Sequence, residues 1–245
     1  MHKIILALLL TTSLAASANA QNCVNASRCD ELGYTKTAAD CDSLDTLKCP
    51  FDSGKAFCSG GTNPDGSEDC KEGDILFSDK SCAAGLQPGK TAIGVVFVVF
   101  SSTSRLAVAL DEKELEWGGS GKEIGSAAQG TSGKSNTAAI LAYGKANNIS
   151  YPAAEYCNTY STAGTKAGDW FLPSLEELKI LSNNFSEINN SLKVLGKAMR
   201  EATDGYYWSS SESTYSTARR LVPSSGGTDY TSKDTRFRVR PVLAF

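Results

Sequence analysis

Residues 206–213 read Tyr-Tyr-Trp-Ser-Ser-Ser-Glu-Ser, and the way this stretch folds decides the architecture of the chain. Large aromatics run straight into small hydroxyls, with no catalytic partner beside them. A period of two puts Tyr207 and Ser209 on one face and Tyr206, Trp208 and Ser210 on the other. The expected element is a strand with Trp208 in the core, near Trp170. Its small hydroxyls, Ser209 among them, let neighbouring strands and loops approach closely and satisfy backbone groups. Such a segment is a structural corner beneath loops that carry contacts. The plainer alternative is a serine-rich surface strand.

Downstream, residues 206–210, 218–222 and 235–243 are separated by Ser, Thr, Gly and Asp, which predicts an antiparallel meander. The last strand places Phe237, Val239 and Leu243 on one face and Arg236, Arg238 and Arg240 on the other, and Pro241 marks a strand edge or end. The arginine stripe, with Arg219 and Arg220 nearby, has the chemistry to grip an anion, or it is the solvated face of an edge strand.

Upstream, Leu172-Pro173-Ser174-Leu175-Glu176-Glu177 spells a helix start, with Ser174 as N-cap and Glu177 completing a capping box. Apolar residues recur at Leu178, Leu181, Phe185, Ile188, Leu192, Leu195 and Met199. Asn183, Asn184 and Ser186 interrupt that stripe, so two consecutive helices are expected to share it. Residues 136–147 and 152–160 read as shorter helices, the second opened by Pro152. Residues 93–100 and 105–110 read as a hairpin around a Ser/Thr turn. Six glycines within residues 118–135 predict a long mobile loop.

The N-terminus is expected to be a signal peptide, residues 1–20, with Lys3, an apolar run and Ala18-Asn19-Ala20 before the cut. Its apolar run is short of the ~20 residues a membrane-spanning helix needs. Removing Lys3 from 24 basic residues leaves 23 against 27 acidic ones, a net charge of −4. That balance offers no basic surface for nucleic acid or anionic lipid. The eight cysteines, at 23, 29, 41, 49, 58, 70, 82 and 157, are even in number, form no Cys-x-x-Cys pair, and point to disulfides rather than zinc. Six lie within residues 23–70, a polar stretch poor in aliphatics whose fold must depend on covalent links.

The single histidine is His2, which leaves with the signal peptide. Ser-His-Asp, Cys-His and His-metal chemistry leave with it. The Asn63–Asp69 run is oxygen-rich but departs from the EF-hand pattern, since Gly66 comes early and no glutamate stands twelfth. Glu176-Glu177 and Asp111-Glu112 offer carboxylates for glycoside hydrolysis, but neighbours in sequence point apart, and capping and solvation account for them. Asn25, Asn148, Asn184 and Asn189 each open an Asn-x-Ser sequon.

Three segments, Gly-Asp-Trp-Phe-Leu-Pro-Ser-Leu-Glu-Glu-Leu (168–178), Trp-Ser-Ser-Ser (208–211) and the closing Val-Arg-Pro-Val (239–242), resemble in order the Lcl C-terminal domain family of bacterial exported proteins. The resemblance covers about residues 74–245. It implies a C-type-lectin-like fold, shared with formylglycine-generating-enzyme-like domains, in which Trp170, Pro173, Ser174, Glu177, Trp208 and Ser209 are structural. It extends to the variable proteins of diversity-generating retroelements, whose last strands and loops carry the contacts. The matching stretch here is residues 213–238, with Tyr215, Arg219, Arg220, Asp229, Tyr230, Lys233 and Arg236 as implied ligand-binding residues. The Glu-Pro-Asn, Gln-Pro-Asp and Trp-Asn-Asp signatures of calcium-dependent sugar binding are absent. Formylglycine-generating chemistry needs a reactive cysteine pair, whereas Cys82 and Cys157 are expected to be joined as a structural bond. Relatives often carry cysteine where Pro241 stands. The segment around Cys29, Cys49 and Cys58 resembles a cysteine-rich module found ahead of such domains in bacterial surface proteins.

The expectation is therefore an α+β protein: a signal peptide (1–20), a disulfide-rich module (21–72) and a C-type-lectin-like domain of short helices on a small antiparallel sheet (73–245). It is expected to be secreted, periplasmic or on the cell surface, to recognise an extracellular protein or glycan without catalysis, and to need no cofactor or metal. Formylglycine-generating-like or glycosidase-type catalysis and a structural role in a surface assembly are the alternatives.

Overall fold

The computed structural model describes residues 70–101, 104–201 and 205–245, together with the backbone of three short strands upstream. The chain divides into two compact units, Met1–Glu68 and Asp69–Phe245. In the first, β1 (Cys23–Val24), β2 (Lys48–Cys49) and β3 (Asp52–Phe57) pair antiparallel in the order β1-β3-β2. The expected signal peptide, the oxygen-rich run at 63–69, Asn25 and the pairing of Cys23, Cys29, Cys41, Cys49 and Cys58 lie outside the described residues. The division falls before Cys70, so residues 69–72 belong with the larger unit rather than with the cysteine-rich module.

The second unit is mixed α+β with two sheets. The first sheet contains β4 (Ile75–Phe77), β5 (Cys82–Ala83), β6 (Ala92–Ser101), β7 (Ser104–Ala109), β9 (Trp170–Phe171) and β14 (Val242–Ala244), in the order β5-β4-β6-β7-β14-β9. The second contains β8 (Lys113–Glu116), β10 (Tyr207–Glu212), β11 (Thr217–Val222), β12 (Gly227–Ser232) and β13 (Arg236–Val239), in the order β12-β11-β10-β13-β8. Among the described residues four α-helices accompany them: α1 (Gly133–Asn147), α2 (Pro152–Thr159), α3 (Leu175–Asn183) and α4 (Phe185–Val194).

The apolar run of β6 is buried on both faces. Val95 and Phe97 join a cluster with Leu178, Leu181, Ile188 and Leu192 from the helices, whereas Ile93 and Val96 join one with Leu76, Trp170 and Leu243. α4, ten residues long, is too short to persist alone. Burial of Phe185, Ile188 and Leu192, each stabilising by roughly 1.5–3 kcal/mol, holds it in place. The capping box at α3 is present: Ser174 Oγ accepts from the Glu177 amide at 3.1 Å, and Glu177 Oε2 accepts from the Ser174 amide at 2.8 Å.

Several expectations are corrected. The last strand is not continuous over 235–243. Pro241 has no N–H to donate, and at this point the chain leaves one sheet and enters the other as β14. β13 pairs with β10 in parallel rather than extending a meander, and it lies between β10 and β8 instead of at an edge. Arg240 is 4 % exposed and fills this corner, donating to the carbonyls of Ala109 and Lys197 and to Glu112 Oε2. Trp208 and Trp170 are both buried in this unit, but in separate clusters, because β10 and β9 belong to different sheets.

Cys82 is bonded to Cys70, not to Cys157, in a link spanning 12 residues. Cys82 stands on β5 beside the start of the unit, whereas Cys157 lies on α2 in the cluster of Trp208 and Leu172, where it is free. Burial pushes the Cys157 thiol well above its ordinary range. A buried, protonated thiol is a poor nucleophile. In the folded protein iodoacetamide should leave Cys157 unmodified, with alkylation appearing only in denaturant. Rapid labelling under native conditions, read by peptide mass, would contradict its placement.

Ser174 Oγ also donates to the Thr131 carbonyl at 2.6 Å, so the cap ties the loop before α1 to α3. Ser174→Ala should lower stability by about 1–2 kcal/mol in urea titration. An unchanged midpoint would show that the cap does not carry this junction.

Candidate functional site

The exposed end of the second sheet rests on an ion pair with no exposure at all. Lys233 Nζ lies 2.6 Å from Glu212 Oε1, and both side chains are 0 % exposed. The ammonium also donates to the Lys122 carbonyl at 2.8 Å and the Tyr215 carbonyl at 3.1 Å, and it sits 4.8 Å from the centre of the Trp117 ring. The other carboxylate oxygen, Oε2, accepts the amides of Ile124 at 2.9 Å and Gly125 at 2.7 Å. Burying two charges costs several kcal/mol each unless their remaining donors and acceptors are met, and here all three ammonium protons have acceptors.

Lys233, implied above as a ligand contact, is therefore corrected to a buried anchor. Its long apolar stem and charged head are needed inside, where Glu212 neutralises it. The pair fastens the 119–125 loop and the 213–216 turn to the sheet. Gly119 has φ +63°, and a Cβ there would collide with the Tyr151 ring, so the loop's start needs glycine.

The serines of β10 complete the junction. Ser209 Oγ donates to the Arg219 carbonyl at 2.8 Å, Ser210 Oγ accepts from Asn136 Nδ2 at 3.2 Å, and Ser211 Oγ accepts from the Leu175 amide at 3.0 Å. The Ser210 amide donates to the Pro173 carbonyl at 2.7 Å, and Trp117 Nε1 donates to the Ser209 carbonyl at 2.8 Å. Trp208 Nε1 reaches the Leu115 carbonyl at 3.1 Å while its ring meets Phe237 edge to face. Glu177 joins the same junction, accepting from the Gly133 amide at 3.0 Å, and burial pushes its carboxyl above the ordinary range despite these donors.

Of the other implied contact residues, Tyr215, on the turn between β10 and β11, is 60 % exposed. Tyr230 on β12 is 58 % exposed and stands opposite Arg219 on β11. The Arg219 side chain is exposed and makes no hydrogen bond, ion pair or ring contact within the described residues. Arg220 differs from it. Its guanidinium lies 3.7 Å from the Tyr206 ring centre and 4.4 Å from that of Phe237, and it pairs with Asp229 at 2.8 Å. Hydrogen bonding from Arg220 holds the Asp229 carboxyl below its ordinary range. Arg236 donates to the Glu114 carbonyl at 2.6 Å, and Arg238 pairs with Glu114 and Glu112. The structure thus brings Tyr230 and Arg219 together, commits Arg220 and Asp229 to each other, and withdraws Lys233.

A cleft of about 470 Å³ opens beside Arg219. Its walls include Gln129, Thr131, Lys179, Ser213 and Arg219, together with the buried Glu212. Sequence reasoning did not single out Glu212, Asn136 or Trp117. A lone glutamate after three serines gives no local sign that its partner lies 21 residues downstream.

The carboxylate neighbours read as possible catalytic pairs do not face each other. Glu176 pairs with Lys179 on the helix surface while Glu177 holds backbone amides. Asp111 pairs with Lys197 and accepts from the Tyr160 hydroxyl, and Glu112 engages Arg240, Arg238 and the Tyr207 hydroxyl. Of the sequons, Asn189 is 1 % exposed and holds the Met199 amide, so it is closed to glycosylation in the folded chain. Among the described residues no group of three or more His, Cys, Asp or Glu is placed to hold a metal, and no helix is long and apolar enough to cross a membrane.

No family model matches the chain, and no curated protein matches it. A solved fimbrial protein from Bacteroides ovatus ATCC 8483 is similar in fold, with a TM-score of 0.57 and 17 % identity over 72 % of this chain and 49 % of that one. This chain spans about half the length of that protein.

Lys233→Ala leaves a buried carboxylate unpaired and should cost about 3–5 kcal/mol, whereas Arg219→Ala should stay within about 0.5 kcal/mol of wild type. Equal losses in thermal or urea unfolding would show that the two residues share one role, contrary to their burial.

Proposed function

We propose that this is an exported, non-catalytic surface protein of the recognition or adhesion type, whose contacts are carried by the exposed end of its second sheet. The observation that carries the reading is the contrast between Lys233 and Arg219. A fully buried ion pair fastens the frame, while an unpartnered arginine with exposed Tyr230 opposite and Tyr215 on the adjoining turn is left facing solvent. Tyr gives large contact area at low entropic cost and Arg gives bidentate hydrogen bonding, and both are enriched at recognition hot spots. A rigid scaffold under such residues limits the ordering that binding would otherwise require. The expected signal peptide, the Cys70–Cys82 bond and the fold shared with part of a fimbrial protein support a place outside the cytoplasm. The C-type-lectin-like and Lcl C-terminal assignments stand as part of this proposal.

A structural role within a surface assembly is the second reading, favoured by the same fimbrial likeness. Protease shaving of intact source cells, followed by binding of the purified protein to protein and glycan arrays, tests both. Surface-exposed protein with array binding that is lost in the Tyr230→Ala and Arg219→Ala variants, at unchanged melting temperature, is the expected result. Protein retained in the cytoplasm overturns the proposal. Surface protein that binds nothing on the arrays supports the assembly role.

If residues 213–238 are diversified as in retroelement variable proteins, position 233 must be spared, because Glu212 needs a cation on a long stem. Only the compact ammonium of lysine gives three donors on one nitrogen to Glu212, Lys122 and Tyr215, which the planar guanidinium of arginine does not. Sequencing that segment across a natural population should show variation at positions 215, 219 and 230 with lysine held at 233. Free variation at 233 would contradict the anchor.

A further inference from the structure

The cleft beside Arg219 has a specific electrostatic state. Four charged side chains line it: Glu176, Lys179, Glu212 and Arg219. Glu176 and Lys179 pair with each other at 2.8 Å, and Glu212 is neutralised by Lys233 at 2.6 Å. Among the described residues Arg219 is left as the one cation lining the cleft without a counter-charge. A planar guanidinium with its donors unused matches a carboxylate in shape and charge.

Part of the remaining polar lining is already committed. Ser211 Oγ serves the Leu175 amide, and both backbone groups of Gly130 serve the Asn136 side chain. The cleft therefore sets one free charge, Arg219, among a few uncommitted polar side chains, Gln129, Thr131 and Ser213, and that charge is its strongest recognition element. Beside it, β12 is an outer strand exposed along nearly its whole length and paired to β11 in unbroken register over six residues. It has no proline, lysine or bulge to block a further strand. Such an edge accepts an extended main chain, and Tyr230 on it supplies apolar contact next to Arg219.

From this we infer that the cleft seats an acidic side chain from an extended segment of another protein, its carboxylate on Arg219 and its backbone along β12. The inference rests on the recognition reading above and names the chemistry of its ligand. The test is a titration of the labelled full-length protein with an acetylated, amidated hexapeptide carrying two central glutamates, followed by amide and arginine side-chain NMR. Parallel titrations use the glutamine counterpart and glucuronic acid.

The acidic peptide should shift Arg219 Nε–H, Ser213 and the β12 amides. Arg219→Gln should weaken it by about tenfold or more, and Arg219→Lys should weaken it less. Equal shifts from the glutamine peptide, undiminished binding by Arg219→Gln, or glucuronic acid binding as tightly as the peptide each overturn the inference. Because the Arg219 side chain holds nothing within the fold, the variants should keep the wild-type spectrum elsewhere. Failure here with surface exposure and array binding intact removes the acidic-peptide assignment alone, whereas cytoplasmic retention removes the recognition reading.

Discussion

The buried pair of Lys233 and Glu212 is the interaction on which the exposed end of the molecule depends. Alone, two charges without solvent destabilise a fold. Here the carboxylate takes two loop amides and the ammonium two carbonyls, so one pair closes the ends of three segments that share no regular structure. Removing either partner leaves the other charged and dry, so the cost of disruption far exceeds the net gain of the intact pair. Specificity of loop placement, more than raw stability, is what such a device supplies.

The same pattern recurs at each junction between elements. Glu177 bridges the starts of α1 and α3, Asn136 grips Gly130 on both sides, and Arg240 fills the corner where the chain changes sheets. Backbone groups stranded at loop ends must find partners when water is excluded, and side chains with two or more hydrogen-bonding atoms meet that need. The apolar clusters fix the layers, and these polar side chains fix how the layers meet. A frame held in this way can leave Arg219, Tyr230 and Tyr215 unconstrained by folding.

What the sequence revealed was what is local. The capping box is written within four residues, the break at Asn184 separates two helices on one apolar stripe, and Pro152 opens α2. The aromatic–hydroxyl alternation of β10 divided Tyr207 and Trp208 between two clusters, whereas the break at Pro241 was read only as a strand edge or end within one strand. What failed depended on partners distant in sequence. Nothing local distinguishes Lys233 from a solvated lysine, or tells Cys82 to choose Cys70. The parallel pairing of β13 with β10 needs the whole sheet to exist first, and so does the burial of Arg240. At the candidate site, residue types were legible and their commitments were not: Arg219 and Arg220 are neighbours, yet one is free and the other is packed on two rings and paired.

Native-state hydrogen exchange at the amides of Ile124 and Gly125 addresses the central claim most directly. Both donate to a carboxylate that Lys233 holds in the interior, so their opening requires the buried pair to come apart. Exchange should occur only through large-scale unfolding, at rates close to those of the slowest amides in β10 and β11. Exchange at the rate of an open glycine-rich loop, with the sheet still protected, would show that the pair does not anchor this face.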